Sequence, residues 1–271
     1  MSTYIYPTHS DPPKIIDLQN IDQTYNNGAS FIIKDLNFAI QQDDANGKFI
    51  GLLGASGSGK STLLRYISGL QTPSAGTIMV NGRPPGPDNR SSMVFQEYSS
   101  MPWYTVLDNV ALALTYKGIK KKERYEKAME MIELVGLAGH EHKYAQIPAL
   151  SGGQLQRVAI ARSLLANNRI LLMDEPFGAL DINTRLQMQD LLLSIQEKFR
   201  MYIVFVTHDI SEAVYLSDII YMMKPPPSSI VAQEIIDLPA QRSRELKRNP
   251  HFIELVHKVE DTMVSLSTLQ I

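Results

Sequence analysis

Nine consecutive residues, Gly54-Ala55-Ser56-Gly57-Ser58-Gly59-Lys60-Ser61-Thr62, carry the strongest chemical signal in the chain. They follow the spacing G-x-x-x-x-G-K-[ST], which suits a run of phosphates. Phosphate oxygens need several successive backbone N–H groups turned inward. Glycines at 54, 57 and 59 let the backbone wrap that closely. A helix beginning at this turn aims the positive end of its dipole at the same anion. Lys60 then reaches the β- and γ-phosphates, and the Ser61 hydroxyl is a ligand for Mg²⁺. The plain alternative is a flexible Gly/Ser loop. The apolar run 49–53 before the turn and the helical run 63–70 after it speak against that alternative.

Two further stations have chemistry in them. Residues 170–175, Ile-Leu-Leu-Met-Asp-Glu, are an apolar run ending in two carboxylates. In a parallel sheet, ligands lie beyond the carboxyl ends of the strands. Asp174 is therefore placed to hold Mg²⁺ through water opposite Ser61, and Glu175, one step further out, to take a proton from an attacking water. Without the glycine loop the pair would read as an N-cap for the next helix. Residues 150–157, Leu-Ser-Gly-Gly-Gln-Leu-Gln-Arg, put Ser151, Gly152, Gly153 and Gln154 at the start of a helical run. That is a second anion-binding turn. One ATP does not need two such turns in one chain. Either this one is an ordinary helix N-cap, or it faces a γ-phosphate bound by another copy.

Strands and helices must hold these stations. Residues 14–21 and 31–40 alternate apolar and polar around an Asn26-Asn27-Gly28 turn signal, as a β-hairpin or meander does. Short strands are predicted at 77–80 and 92–95, helices at 106–114 and 123–135, and buried strands at 170–173, 202–206 and 219–223. A long amphipathic helix covers 182–199, a short one 211–216, and two helical segments near 240–248 and 250–264 follow the proline run at 225–227. The basic residues Lys117, Lys120, Lys121, Lys122 and Arg124 read as a solvated helix start, with Glu123 and Glu126 interleaved. The chain has 271 residues and 44% are hydrophobic, enough for a sizeable core. A formal net charge of −2 gives no bulk electrostatic reason to bind nucleic acid. With no cysteine there is no disulfide or thiolate metal site. No apolar run reaches membrane-spanning length, and residues 1–13 form a polar tail without a signal-peptide core. The expectation is a cytosolic chain that meets a membrane only through a partner.

The Leu-Ser-Gly-Gly-Gln sequence, some twenty residues before the carboxylate-ended strand, makes the chain resemble the ATP-binding-cassette (ABC) ATPases over about residues 14–224. The resemblance implies an α/β fold: a P-loop NTPase core with a parallel sheet, an antiparallel β subdomain and a helical signature-motif subdomain, here about 97–168. Residues 225–271 would be a C-terminal helical extension. The resemblance also assigns roles. Tyr25 matches the aromatic residue that stacks on adenine. Gln96 matches the glutamine that senses Mg²⁺ and links to the transporter. Asp181, in Ala179-Leu180-Asp181, matches the loop along the dimer interface, and His208 matches the switch histidine at the γ-phosphate. Two cassettes would close head to tail over two ATP. Each site would join Lys60, Ser61, Gln96, Asp174, Glu175 and His208 of one chain to Ser151 and Gly153 of the other. His140 and His142 match no metal-ligand set and read as surface residues.

The segment Met101-Pro102-Trp103-Tyr104-Thr105-Val106, with Asn109-Val110, resembles the importer branch for nitrate, sulfonates, taurine and bicarbonate. So does the tail with Leu238-Pro239, Arg242, Asn249-Pro250 and Phe252. That branch implies an integral membrane permease, an extracytoplasmic solute-binding protein, and a station on the cytoplasmic face of the inner membrane. It also implies a homodimer or a paired homologous subunit, with no nucleic-acid partner. Trp103 is either part of the groove that receives the permease or part of the lobe's core. Two stretches depart from the branch: 43–46 lengthens the connection before the phosphate-loop strand, and 224–229 replaces the usual Arg- and Gly-containing turn. Two other functions compete. A non-transport cassette would show long coiled-coil insertions or basic patches. A module that holds ATP without turnover would lack some of Lys60, Asp174, Glu175 and His208.

Overall fold

A computed structural model describes residues 13–25, 30–42, 46–166 and 168–268. The turn signal at 26–28 and nearly all of the lengthened connection at 43–46 lie outside these residues. Two sheets organise the chain. The strands β1 (Lys14–Thr24) and β2 (Phe31–Gln41) pair antiparallel, and β4 (Ala75–Val80) adds to the other edge of β1 in the order β2-β1-β4. The predicted alternation holds in stretches, at Ile16 and Leu18 and at Leu36, Phe38 and Ile40, all buried, but Ile15 is buried beside Ile16 and the buried phase shifts before Ile21 and after Ile33. Register shifts along β1 mark bulges that bend this small sheet.

The larger sheet has the order β5-β6-β7-β3-β8-β9. Its strands β3 (Lys48–Gly54), β5 (Ser92–Val94), β6 (Ile170–Asp174), β7 (Tyr202–Thr207) and β8 (Ile219–Met223) run parallel. Their continuous apolar sequences follow from burial on both faces. One hydrophobic cluster joins the small sheet to one face, with Leu63, Leu64, Tyr66 and Ile67 of α1 (Lys60–Ser68) between them. The other face is covered by a cluster that runs into the helical subdomain. There α2 (Val106–Thr115), α3 (Lys121–Leu134) and α4 (Gly152–Leu165) pack together. The basic start of α3 is solvated, and Lys127 reaches Glu123 at 2.7 Å.

The helices α5 (Ile182–Phe199) and α6 (Ile210–Leu216) complete the core. One expectation needs correction. Residues after the proline run are not helical throughout, because β9 (Ile230–Ile235) returns antiparallel to β8 and forms the sheet's edge. Six residues with weak alternation next to Pro225–Pro227 gave no period of their own; the hydrogen bonds of β8 supply the order. The helical segment near 240–248 is a 3-10 helix, Arg244–Arg248, and the last helix, α7, spans Pro250–Thr268.

Candidate functional site

The glycine loop sits where β3 ends and α1 begins, in the middle of the sheet. Gly59 is the N-cap of α1 with φ 78°, a left-handed conformation that glycine adopts without strain, and no side chain caps the helix. The first N–H groups of α1 are thus left for an anion. Lys60 folds back under the loop: its Nζ donates to the carbonyls of Gly54 (2.8 Å) and Ala55 (2.9 Å) and reaches Ser58 Oγ at 3.5 Å. Burial pushes the Lys60 ammonium below the usual lysine value, while the Glu175 and Asp174 carboxylates oppose that shift. A phosphate chain would supply the negative charge that the buried ammonium needs.

Ser61 Oγ donates to Asp174 Oδ1 at 2.8 Å, so two segments 113 residues apart meet at one point. Burial pushes the Asp174 carboxyl above the usual carboxylate range; the Ser61 hydrogen bond opposes this and the charge of Glu175 adds to it. A half-buried carboxylate that resists ionisation, beside a serine hydroxyl, suits a small hard cation that keeps most of its waters. Ser61 and Asp174 therefore fit Mg²⁺.

Glu175 follows Asp174 with φ 45°, and its N–H donates to Val206 O at 3.1 Å. This left-handed backbone is uncommon for a glutamate and turns the side chain off the strand's end. Two partners meet it there. Gln96 Nε2 donates to Glu175 Oε2 at 3.4 Å, and His208 Nδ1 lies 3.5 Å from Glu175 Oε1. The ends of β5, β6 and β7 thus bring Gln96, Glu175 and His208 together beside the loop that ends β3. Tyr25 is 62% exposed and accepts a hydrogen bond from Gln71 Nε2 at 3.2 Å. Gln71, three residues beyond α1, was not singled out from the sequence; nothing local marks it.

The second turn is built differently. Ser151 is the N-cap of α4 and forms a capping box with Gln154. Ser151 N donates to Gln154 Oε1 at 2.9 Å, and Gln154 N donates to Ser151 Oγ at 3.3 Å. The Gln154 amide nitrogen also lies 3.1 Å from His140 Nε2. His140 is therefore a partner of this turn as well as a surface residue. Asp181 caps α5, accepting from Asn183 N (3.0 Å) and Thr184 N (3.1 Å). Hydrogen bonds from Thr184, side chain and then backbone, hold its carboxyl below the usual range. Among the described residues no hydrogen bond joins 54–62 to 151–154, so the two turns belong to separate parts of one chain.

Trp103 does not belong to the core: it is 66% exposed, with Tyr104 edge-on at 6.4 Å between ring centroids. The reason is Asn109, which is fully buried. Its amide accepts from Met101 N (2.8 Å) and donates to Met101 O and Thr105 O, both at 3.0 Å. This pins the 101–105 turn so that its aromatics face outward.

The family model described as ABC transporter matches residues 33–178. The nitrate import ATP-binding protein NrtD of Synechocystis sp. is 42% identical over 243 residues, 87% of this chain and 89% of that protein. The taurine import ATP-binding protein TauB of Rhizobium johnstonii is 44% identical over 230 residues, 82% of this chain and 86% of that protein. Among solved structures, a dimeric ATP-binding cassette in a post-hydrolysis state, bound to ADP and Pi, superposes with TM-score 0.69 at 31% identity. The match covers 83% of this chain and 100% of that one.

Proposed function

Because this chain belongs to the ABC transporter family, we propose that it is the ATP-hydrolysing subunit of a membrane importer for a small anion such as nitrate, a sulfonate, taurine or bicarbonate. The observation that carries the reading is the convergence of Lys60, Ser61, Asp174, Glu175, Gln96 and His208 at one end of the sheet.

Chemistry follows from that convergence. The open N-terminus of α1 and Lys60 bind the phosphates and orient the terminal one. Glu175 accepts a proton from water as the water oxygen bonds to the γ-phosphorus and the bond to the β-phosphate oxygen breaks. Gln96 and His208 hold the Glu175 carboxylate, and His208 would contact the γ-phosphoryl oxygens when nucleotide is bound. Ser61 and Asp174 would hold Mg²⁺, which neutralises phosphate charge when bound. Tyr25 would stack on the base.

The relatives' names and the dimeric cassette support a pair of subunits closing over ATP beneath a permease. In that arrangement Ser151, Gly152, Gly153 and Gln154 of one subunit complete the site of the other, with Asp181 alongside. No described helix is long and apolar enough to cross a membrane. The exposed Trp103 and Tyr104 would offer a permease an aromatic docking face. An extracytoplasmic solute-binding protein would deliver the solute, and the cassette would sit on the cytoplasmic face.

The direct test is Glu175→Gln. Phosphate release should fall by on the order of 10²- to 10³-fold while ATP binding persists. A variant that hydrolyses at the wild-type rate removes Glu175 from this role.

A further inference from the structure

The two glycines of the second turn are each closely approached by a side chain of their own subunit. A β-carbon on Gly152 would fall on the hydroxyl of Tyr98, with Tyr98 Cζ 2.8 Å away. A β-carbon on Gly153 would fall on Cγ2 of Thr184, whereas the next atoms, Thr184 Cβ and Leu180 Cδ2, lie at 3.7 and 3.8 Å, ordinary packing distances. The turn is thus gripped on two sides, by one methyl group and one phenol.

The two approaching residues come from different loops of the site. Tyr98 is two residues beyond Gln96, which holds Glu175. Its neighbour Ser99 is tied to the same helix as the glycines: Arg162 Nη1 donates to Ser99 O at 3.0 Å and Arg162 Nη2 to Ser99 Oγ at 2.6 Å. Thr184 is in the first turn of α5, and its N–H is held by Asp181. So the placement of Ser151 is fixed by the Gln96 segment on one side and by the Asp181 segment on the other. Residues 96–104, which carry the exposed Trp103, are joined to the turn of Ser151 through Tyr98 and through Arg162.

We infer that Tyr98 and Thr184 are positioning residues for Ser151, and that Gly152 and Gly153 are glycines in this chain to admit them. The inference rests on the reading that Ser151 completes a second copy's site. It differs from a direct role in one respect. If Gly153 were glycine only so that a partner's phosphate could approach, shaving Thr184 would change nothing.

The test uses the full chain with three variants: Gly153→Ala, Thr184→Ser, and both together. Thr184→Ser removes Cγ2 alone and keeps the hydroxyl at the start of α5. Gly153→Ala should lower kcat by about tenfold or more, since misplacing a catalytic surface by an ångström costs on that scale. ATP affinity of the isolated chain should stay within about twofold, because Lys60 and Ser61 lie elsewhere. Thr184→Ser alone, which takes away the methyl that grips the turn, should lower kcat by about threefold, and the double variant should recover to within about threefold of wild type, the new β-carbon filling the place of that methyl. Closed-dimer formation with ATP in a Glu175→Gln background should be lost and regained in the same pattern. A double variant that melts like wild type yet stays as slow as Gly153→Ala overturns the inference, as does a fully active Gly153→Ala. Should Gly153→Ala not fold, Gly152→Ala with and without Tyr98→Leu poses the same question. Rescue then supports the inference, and a folded double variant without rescue overturns it. A wild-type chain with no ATPase would instead overturn the proposed function.

Discussion

The two glycine-rich turns look alike in sequence and are finished in opposite ways. At α1 the N-cap is Gly59, with no side chain over the helix end, and the free N–H groups face whatever anion arrives. At α4, Ser151 and Gln154 satisfy each other's backbone N–H groups. The difference is informative. Ser151 Oγ accepts from Gln154 N through a lone pair, which leaves its own O–H proton to give outward. The first turn can cradle a run of phosphates unaided; the second offers one hydroxyl and two glycine N–H groups on a preset mount. In the proposed function each site takes one turn of each kind, and among the described residues no hydrogen bond joins the two within one chain.

The comparison breaks most visibly at the open turn. Lys60→Ala should weaken ATP binding on the order of 10- to 100-fold by calorimetry, the worth of a charge-assisted contact in a buried place. Retained affinity would mean that the backbone alone binds the phosphates.

At the capped turn the pattern should reverse. Ser151→Ala should leave the isolated chain's ATP affinity unchanged and cut turnover by roughly tenfold. Loss of the cap should also cost about 1 kcal/mol, seen as a melting point lower by roughly 2–4 °C. If ATP affinity fell with turnover unaffected, the two turns would share one site within the chain.

The smallest effect concerns Asp174. Burial raises its folded pKa above the ordinary value of 3.8, so the folded state holds the proton more tightly than the unfolded state. Its ionisation therefore costs stability above the folded pKa, and the cost vanishes below 3.8. Asp174→Asn should melt above wild type near neutral pH, with the gap closing as pH falls toward about 4, and should lose stabilisation by Mg²⁺ with ATP. A gap that widens on acidification would contradict the sign.

Much of this was legible in the sequence because it is local. The parallel strands are uninterrupted apolar runs, and the loop 54–62 and the turn 151–154 carry their chemistry in adjacent residues. What was not legible depends on the fold. Tyr98 and Thr184 matter only because packing brings them to Gly152 and Gly153. His140 gained a partner for the same reason. Trp103 was ambiguous because a lone aromatic has no period, and its exposure was decided by Asn109 six residues away. The strand β9 was missed because its order comes from the edge of β8.

The central claim, that each working site takes its open turn from one subunit and its capped turn from another, can be tested by mixing two impaired variants. Lys60→Ala and Ser151→Ala chains, each about tenfold or more slower than wild type alone at ATP levels near the wild-type Kd, should release phosphate faster when combined. Random pairing gives mixed dimers with one intact site, for up to about one quarter of wild-type activity. No recovery at concentrations where wild type is active and paired would contradict the account.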